Sequence, residues 1–141
     1  MNLDKIQYRL TADDEEIDVE AWVEGIRLGY AWTSRTDDRL QLAEWFVEPE
    51  VSIAGRTWKL RGRGIGSELL RHMLNQADAA GVREVWGCVT AEDIQNGPEL
   101  LARYERHGFV VGDADAECLS HVRTAVKKIV RQKPVCTNSQ G

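Results

Sequence analysis

Residues 61–70 read Arg-Gly-Arg-Gly-Ile-Gly-Ser-Glu-Leu-Leu, a glycine-rich turn that leads directly into a predicted helix. Glycines at alternate positions leave the backbone without Cβ atoms, so a ligand can contact consecutive N–H groups. Apolar residues then recur at helical spacing over about residues 66–80, before Gly81, a typical helix-ending residue: they are Leu69, Leu70, Met73, Leu74 and Ala77. Because unpaired amides and the positive end of the helix dipole face the same point, this stretch predicts an anion site, and phosphate is the obvious ligand.

Two familiar phosphate-binding loops do not fit this stretch. A Walker A loop needs a lysine that reaches the β- and γ-phosphates, and no lysine lies between Lys59 and Lys127. A dinucleotide-binding fingerprint needs a third glycine where Ser67 stands, and no clear strand directly precedes Gly62. The sequence therefore argues against nucleoside triphosphate hydrolysis and against dinucleotide binding.

Four short motifs occur in the order found in one known family. Residues 61–66 match the loop pattern R/Q-x-x-G-x-G/A, and residues 104–109 read Tyr-Glu-Arg-His-Gly-Phe, a Tyr-x-x-x-Gly-Phe element. Asn96 precedes the second predicted helix, and Phe-Val-Glu-Pro at residues 46–49 ends the fourth predicted strand. Over roughly residues 40–111 the chain therefore resembles the GNAT superfamily of N-acyltransferases.

The resemblance implies a fold, a cofactor and a reaction. The fold is α+β, with a mixed, mostly antiparallel central sheet between flanking helices. The cofactor is acetyl-CoA, whose acetyl group passes to a primary amine by direct attack in a ternary complex. A backbone N–H near residues 46–47 would stabilise the developing oxyanion. The coenzyme-binding positions implied are Phe46, Val47, Arg61, Gly62, Arg63, Gly64, Ile65, Gly66, Ser67, Asn96 and Tyr104.

The chain departs from the family pattern in two places. Only an acidic turn at residues 11–16 connects the first two predicted strands, where the family has two helices that usually form one wall of the acceptor site. Residues 50–60 form an insertion before the glycine loop. We expect a more open acceptor cleft, with residues 50–60 as a flap or hairpin over it, or with the wall supplied by the neighbouring subunit of a homodimer.

Tyr104 is the candidate general acid. A phenol has a pKa near 10, so it is neutral at physiological pH and can donate a proton to a departing thiolate. The alternative is structural, because Leu100, Leu101 and Tyr104 together fit the buried stripe of a helix. The Gly-Phe pair that follows at the family spacing favours a hydroxyl facing the sulfur.

The general base is less well defined. By the two-residue period of a strand, Glu44 shares one face with Leu40, Leu42 and Phe46. Enclosure of this kind raises the pKa of a carboxyl towards the neutral range that a base for an ammonium group needs. A glutamate paired with an arginine at a sheet edge is an equal alternative. Glu48 is the second candidate base, and a chain of waters is the third.

The predicted elements form one continuous pattern. Alternating residues predict an antiparallel meander with strands near residues 5–10, 17–23, 26–33 and 40–47. The glycine loop and its helix are followed by a strand, a helix and two closing strands near residues 82–89, 98–107, 109–111 and 122–130. We expect residues 1–130 to form a single domain and residues 131–141 to be a polar, disordered tail.

Charge is unevenly distributed along a chain of net charge −5. Residues 1–50 carry 13 acids and 5 bases, whereas residues 51–71 carry 5 bases and 1 acid. The basic segment coincides with the glycine loop, where it would steer a polyanionic cofactor; a solvated loop that balances an acidic neighbour is the alternative. The acidic first half suits a cationic acceptor, either a small molecule such as a polyamine or aminoglycoside, or a protein lysine or N-terminus. Trp45 and Trp58 belong either to the core or to the acceptor cleft.

Other functional classes are disfavoured. The acidic chain repels nucleic acid, and its single Arg-Gly-Arg-Gly run lacks the repetition of RGG segments. No apolar run approaches the roughly 18 residues of a membrane span, and the N-terminus lacks a signal-peptide pattern, so we expect a cytoplasmic protein. The three cysteines, an odd number without C-x-x-C spacing, argue against a disulfide framework and against a metal site, and Cys88 is expected in the core.

Two functions are the main candidates for this sequence, and a nucleic-acid binder that uses the basic loop is a third possibility. The first is an acetyl-CoA-dependent N-acetyltransferase. The second is a catalytically degenerate module of the same fold that binds coenzyme A or a protein partner without turnover, and the shortened N-terminal region keeps it open.

Overall fold

Four consecutive strands form the meander that the alternating residues predict. The computed structural model describes residues 3–89, 95, 99–113 and 123–128. A 3-10 turn at Leu3–Lys5 precedes four strands that pair antiparallel in sequence order: β1 (Gln7–Ala12), β2 (Ile17–Val23), β3 (Ile26–Thr36) and β4 (Arg39–Val47). The alternation is clearest in β2, where every second side chain from Ile17 to Val23 is buried.

A turn, and not a pair of helices, joins β1 to β2. Asp13 Oδ1 accepts the backbone N–H groups of Glu15 at 2.8 Å and Glu16 at 3.0 Å, so a short side chain holds the turn together. The predicted absence of two helices between the first two strands is therefore confirmed.

The insertion at residues 50–60 is a hairpin. Its strands are β5 (Glu50–Ile53) and β6 (Arg56–Lys59), which pair with each other as a separate two-stranded sheet. Ala54 and Gly55 both have positive φ, 54° and 76°, as a type I′ hairpin turn requires. The Leu60 N–H donates to the carbonyl oxygen of Pro49 at 3.0 Å and closes the base of the hairpin. The expected hairpin is confirmed, whereas its position over an acceptor cleft stays a prediction.

Helix α1 (Ile65–Ala79) follows the glycine loop and packs across β1 to β4. Its apolar stripe is buried as the helical spacing predicts, apart from the half-buried Leu74, and Gly81, with φ of 84°, follows its end. Leu69, Leu70 and Met73 have no exposed surface, and burial of each contributes about 1.5–3 kcal/mol relative to an exposed side chain. This packing holds the start of α1 against the end of β4.

The second half of the chain extends the sheet. Its elements are β7 (Glu84–Val89), α2 (Leu100–Arg106), β8 (Val110–Asp113) and β9 (Arg123–Lys128). The seven-stranded sheet has the order β1-β2-β3-β4-β7-β9-β8, and β4 with β7 is the parallel pair among these strands. The expected α+β fold with a mixed, mostly antiparallel sheet is confirmed. The predicted helix start at Pro98 and the predicted disordered tail lie outside the described residues.

The sheet opens between β4 and β7. These strands pair only between residues 39–41 and 84–86, although β4 continues to Val47 and β7 to Val89. On its other side β7 stays paired with β9 over its whole length. A gap therefore lies between the carboxyl ends of β4 and β7, which we call the split.

A bulge changes the direction of the side chains along β4. Thr33 of β3 is opposite Leu42, and Trp32 is opposite Glu44, so Ala43 is an extra residue in β4. The alternation of inward and outward side chains is reversed after this point. Leu40 and Leu42 are buried before the bulge, and the half-buried Trp45 and Val47 pack against the core after it.

Candidate functional site

A groove of about 690 Å³ lies where the end of β4, the glycine loop and α2 meet. Most of the residues predicted to bind the coenzyme line it, although they come from separate parts of the chain. The lining residues are Trp45, Phe46, Val47, Leu60, Arg61, Gly62, Gly64, Ile65, Gly66, Ser67, Glu99, Leu100, Arg103 and Arg106.

The glycine loop has the conformation that its sequence predicts. Gly62 and Gly64 have φ of 77° and 80°, a region that residues with a Cβ atom rarely adopt. Gly64 is the N-cap of α1, and no side chain makes a capping hydrogen bond there. Because the first N–H groups of a helix have no partner within the helix, they are available to an anion in the groove.

Three arginines of the groove give it a cationic rim. Arg61 lines the groove as predicted, whereas Arg63 is turned away, since its Nε donates to the Lys59 carbonyl oxygen at 2.7 Å. Arg103 and Arg106 of α2 also line the groove and were missed by the sequence prediction. Their spacing of three residues, which places two side chains on one helix face, is the signal that could have identified them.

Tyr104 lies at the closed end of the split. Its side chain is 5% exposed, and its ring makes edge contacts with Trp45 and Phe109 at centroid distances of 5.3 and 5.1 Å. A Cβ atom at Gly87 of β7 would lie 3.2 Å from the Tyr104 hydroxyl and 3.6 Å from the Leu42 carbonyl oxygen of β4. The two interpretations of Tyr104 are thus compatible, because its ring belongs to the core while its hydroxyl lies beside Gly87, where β4 and β7 separate.

Glu44 is not enclosed by apolar side chains, and that expectation is wrong. The bulge at Ala43 removes Glu44 from the face that carries Leu40 and Leu42, so its carboxylate is exposed. Its Oε2 accepts a hydrogen bond from the Tyr30 hydroxyl at 3.0 Å. Within the described part of the chain, the hydrogen-bond partner of Glu44 is therefore a tyrosine of the neighbouring strand rather than an arginine.

Tyr30 is a further residue that the sequence prediction missed. Its ring stacks on Trp32 at 3.8 Å and contacts Phe46, which is 40% exposed, at 5.7 Å. Partial burial raises the pKa of Tyr30, and the hydrogen bond to Glu44 and the charge of the exposed Glu48 raise it further. Tyr30 and Phe46 thus form an aromatic surface beside the groove, next to two carboxylates.

The remaining predictions concern Asn96, Cys88, metal binding and membrane spans. Asn96 lies outside the described residues. Cys88 is disulfide-bonded, although the cysteine pattern argues against disulfides, and it is half-buried rather than part of the core. Within the described part of the chain, no group of three or more His, Cys, Asp and Glu side chains could hold a metal ion. Neither described helix has the length and apolar composition needed to cross a membrane.

The site combines features that suit a long, anionic ligand. The helix N-terminus and the cationic rim are complementary to phosphate groups, and the split between β4 and β7 lies beside the buried phenol of Tyr104. Backbone groups that face such a gap need hydrogen-bond partners, which an amide-containing chain would supply.

A sequence model of the acetyltransferase (GNAT) family matches residues 3–109. No curated protein matches the chain.

Three solved structures illustrate the structural likeness. PaiA N-acetyltransferase from Thermoplasma acidophilum, in complex with coenzyme A, is 17% identical with a TM-score of 0.62, covering 82% of this chain and 62% of that chain. A GNAT-family acetyltransferase from Elizabethkingia anophelis with acetyl-CoA bound is 11% identical with a TM-score of 0.64, covering 89% and 99%. A GNAT-family acetyltransferase from Staphylococcus aureus Mu50 is 15% identical with a TM-score of 0.64, covering 83% and 70%. At these identities the likeness shows the fold alone, and the chain spans less than two thirds of the Thermoplasma protein.

Proposed function

Since this chain belongs to the GNAT family of acetyltransferases, we propose that it transfers an acetyl group from acetyl-CoA to a primary amine by direct attack in a ternary complex. The observation that carries this proposal is the continuity of the site. One groove connects the glycine loop to the end of β4, and Trp45, which lines that groove, contacts the ring of Tyr104 beside the split. This arrangement can hold a diphosphate at one end and a thioester at the other.

The glycine loop and the rim would bind the diphosphate of the coenzyme. Gly62 and residues 64–67 line the groove at the positive end of α1, where unpaired backbone N–H groups would bind the anion, and Arg61 adds a full charge. Arg103 and Arg106 line the opposite side of the same groove, so they join the proposed set. The proposal still includes Asn96, whereas Arg63 contributes through its backbone rather than its side chain. The coenzyme bound in the Thermoplasma and Elizabethkingia relatives supports a coenzyme ligand here.

The reaction needs charge stabilisation at two atoms. Backbone N–H groups near Phe46 and Val47 would stabilise the negative charge that develops on the thioester oxygen, and Ala43 is a further backbone candidate because no residue of β3 lies opposite it. Attack by the amine nitrogen breaks the carbon–sulfur bond, and the Tyr104 hydroxyl would donate its proton to the departing thiolate. No covalent enzyme intermediate is required when both substrates are bound side by side.

The acceptor amine would lose its proton on the side of the sheet that carries Glu44. Glu44 is exposed there and held by the Tyr30 hydroxyl, and Glu48 directly follows the end of β4. Glu44 is the first candidate base, Glu48 is the second, and a chain of waters is the third. The carboxylates and the rings of Tyr30 and Phe46 favour a cationic acceptor, whether a small-molecule amine or a protein lysine or N-terminus. A cytoplasmic location and a homodimer remain predictions.

Calorimetry and a thiol-release assay test the proposed function together. We expect heat of binding when coenzyme A is titrated into the protein, and release of free thiol from acetyl-CoA that depends on an added amine. Binding without release on any amine of a broad panel would instead support the degenerate module. Absence of binding would contradict the transferase and the coenzyme-binding module, and would leave only a module that binds a protein partner.

Replacement of Tyr104 by phenylalanine tests the general acid. The substitution Tyr104→Phe removes the hydroxyl and keeps the ring that packs on Trp45 and Phe109. We expect kcat to fall about 10²-fold or more, the usual contribution of general acid catalysis. The Kd of coenzyme A, measured by calorimetry, should change less than about twofold, because the hydroxyl is remote from the diphosphate loop. An unchanged kcat would remove Tyr104 from the proposed chemistry.

A further inference from the structure

Trp45 contacts both ends of the proposed coenzyme site. Its indole Nε1–H donates a hydrogen bond to the carbonyl oxygen of Gly66 at 3.0 Å, in the first turn of α1. Its ring also meets the Tyr104 ring edge-on, at a centroid distance of 5.3 Å and an interplanar angle of 67°. A single side chain of β4 therefore joins the glycine loop to the candidate general acid.

The bulge in β4 places Trp45 in this position. Without the extra residue Ala43, a strict alternation from the buried Leu42 would put Glu44 on the helix-facing side and Trp45 on the other. With the bulge, Trp45 points towards α1, where it is half-buried and packs against the core. The position of this indole is thus a consequence of strand register.

The first turn of α1 rests on the end of β4. A Cβ atom at Gly66 would be in ordinary van der Waals contact with β4, at 3.6 Å from Trp45 Nε1 and 3.5 Å from Val47 Cγ2. The indole and the helix are thus in direct contact, at a distance that suits the hydrogen bond to the Gly66 carbonyl oxygen.

Fixing the Gly66 carbonyl also fixes an N–H group of the loop. The peptide unit between Gly66 and Ser67 is planar, with its C=O and N–H groups pointing in opposite directions. In a helix the carbonyl points towards the C-terminus, so the Ser67 N–H points towards the N-terminus, where the groove lies. A donor that holds the Gly66 oxygen therefore aims the Ser67 amide at the proposed diphosphate.

We propose that Trp45 is a positioning residue that sets the Ser67 amide against the diphosphate and the Tyr104 phenol against the sulfur. This inference rests on the proposed function. The hydrogen bond of Trp45 acts on coenzyme binding, and the ring of Trp45 acts on the general acid, so the two contributions are separable by substitution. Trp45→Phe removes the Nε1–H donor and keeps an aromatic ring, whereas Trp45→Leu removes both.

The test compares two acetyl donors. Acetyl-CoA carries the diphosphate, and S-acetylpantetheine offers the same thioester without it. For Trp45→Phe we expect the Kd of coenzyme A to rise about fivefold, which corresponds to the net contribution of one hydrogen bond, about 1 kcal/mol. With S-acetylpantetheine, kcat/KM of this variant should stay within about twofold of the parent protein. For Trp45→Leu we expect kcat to fall about tenfold with both donors, because Tyr104 loses a ring neighbour.

Trp22→Phe is the matched control. It removes an indole hydrogen bond of the same length, from Trp22 Nε1 to Glu20 Oε1 at 3.0 Å, on β2 and outside the groove. It should alter neither the Kd of coenzyme A nor kcat with either donor, and thermal unfolding will show that all variants are folded.

Two outcomes would overturn the inference. One is a loss of affinity or of kcat/KM that is equal for the two donors, or no loss at all, for Trp45→Phe. The other is the same donor-dependent loss for Trp22→Phe. If the parent protein binds coenzyme A but never transfers the acetyl group, the proposed function fails separately. The Kd comparison then still decides whether Trp45 orients the loop.

Discussion

The substitution Gly87→Ala tests whether the split between β4 and β7 is the place of the reaction. It adds one methyl group to β7 beside the Tyr104 hydroxyl. The new Cβ atom would lie 3.2 Å from that hydroxyl, 3.6 Å from the Leu42 carbonyl oxygen and 3.9 Å from the Leu42 Cβ. The first distance is shorter than ordinary van der Waals contact, so the hydroxyl must move by a few tenths of an ångström.

The size of the effect follows from how Tyr104 is held. Its ring packs between Trp45 and Phe109, so the ring cannot easily rotate and the displacement falls on the hydroxyl. A misplacement of about 1 Å in an active site costs on the order of 10²-fold in rate, so a shift of a few tenths should cost roughly fivefold to tenfold in kcat. Overpacking costs about 1–3 kcal/mol of stability, offset by about 0.5–1 kcal/mol because alanine suits a strand better than glycine.

The assay measures kcat by thiol release from acetyl-CoA and stability by thermal unfolding. We expect a folded protein with a small change in Tm, a kcat lower by about tenfold, and a Kd for coenzyme A changed less than kcat. Gly112→Ala in β8 is the control, because its Cβ would meet no atom within 4 Å, and its kcat should equal that of the parent protein. A Gly87→Ala variant with an unaltered kcat would refute the assignment of the chemistry to the split.

Three other substitutions have defined outcomes. Gly64→Val places a β-branched residue at φ of 80°, so we expect the Kd of coenzyme A to rise at least about tenfold. Gly55→Val, at φ of 76° in the hairpin, is the control and should leave that Kd unchanged. Equal affinities of the two variants in calorimetry would contradict the placement of the diphosphate. Gly29→Ala would place a Cβ atom 2.6 Å from a main-chain oxygen of β4, so we expect the free energy of unfolding in urea to fall by about 1–3 kcal/mol. An unchanged free energy of unfolding would show that β3 can shift. A hydrogen bond with Asp18 raises the pKa of Glu16 to about 7, so its stabilising contribution is present at low pH and is lost as the pH rises through about 7. The Tm of Glu16→Gln relative to the parent protein should therefore increase from about pH 5 to about pH 8. A difference in Tm that stays constant with pH would count against a hydrogen bond between the carboxyl groups of Glu16 and Asp18.

The local features of the fold were predictable because each depends on neighbouring residues. The alternation in β2, the helical spacing in α1 and the turn glycines are sequence-local, and the structure contains each element close to its expected bounds. The short connection between β1 and β2 leaves no room for helices, so their absence was also predictable. The observed elements differ from the predicted ones by a few residues at their ends, as in β3, which extends to Thr36 rather than to residue 33.

The side chains of β4 were predictable only as far as the bulge. The two-residue period assumes an uninterrupted ladder, and the extra residue Ala43 reverses it for Glu44 and Trp45. No local feature of the sequence marks that position, because a bulge is set by how β4 registers against β3. The same limit applies to Tyr30, whose hydrogen bond to Glu44 joins two strands.

The sequence alone determined the glycine loop, the helix that follows it and the succession of strands along the chain. Backbone freedom at glycine and side-chain periodicity decide these features because both act over a few residues. Tertiary structure decided where β4 and β7 separate, which arginines face the groove, and that the indole of Trp45 lies between the loop and Tyr104. Those positions depend on the pairing of segments far apart in the chain, since the free energy that fixes them comes from packing and cross-strand hydrogen bonds rather than from local propensity.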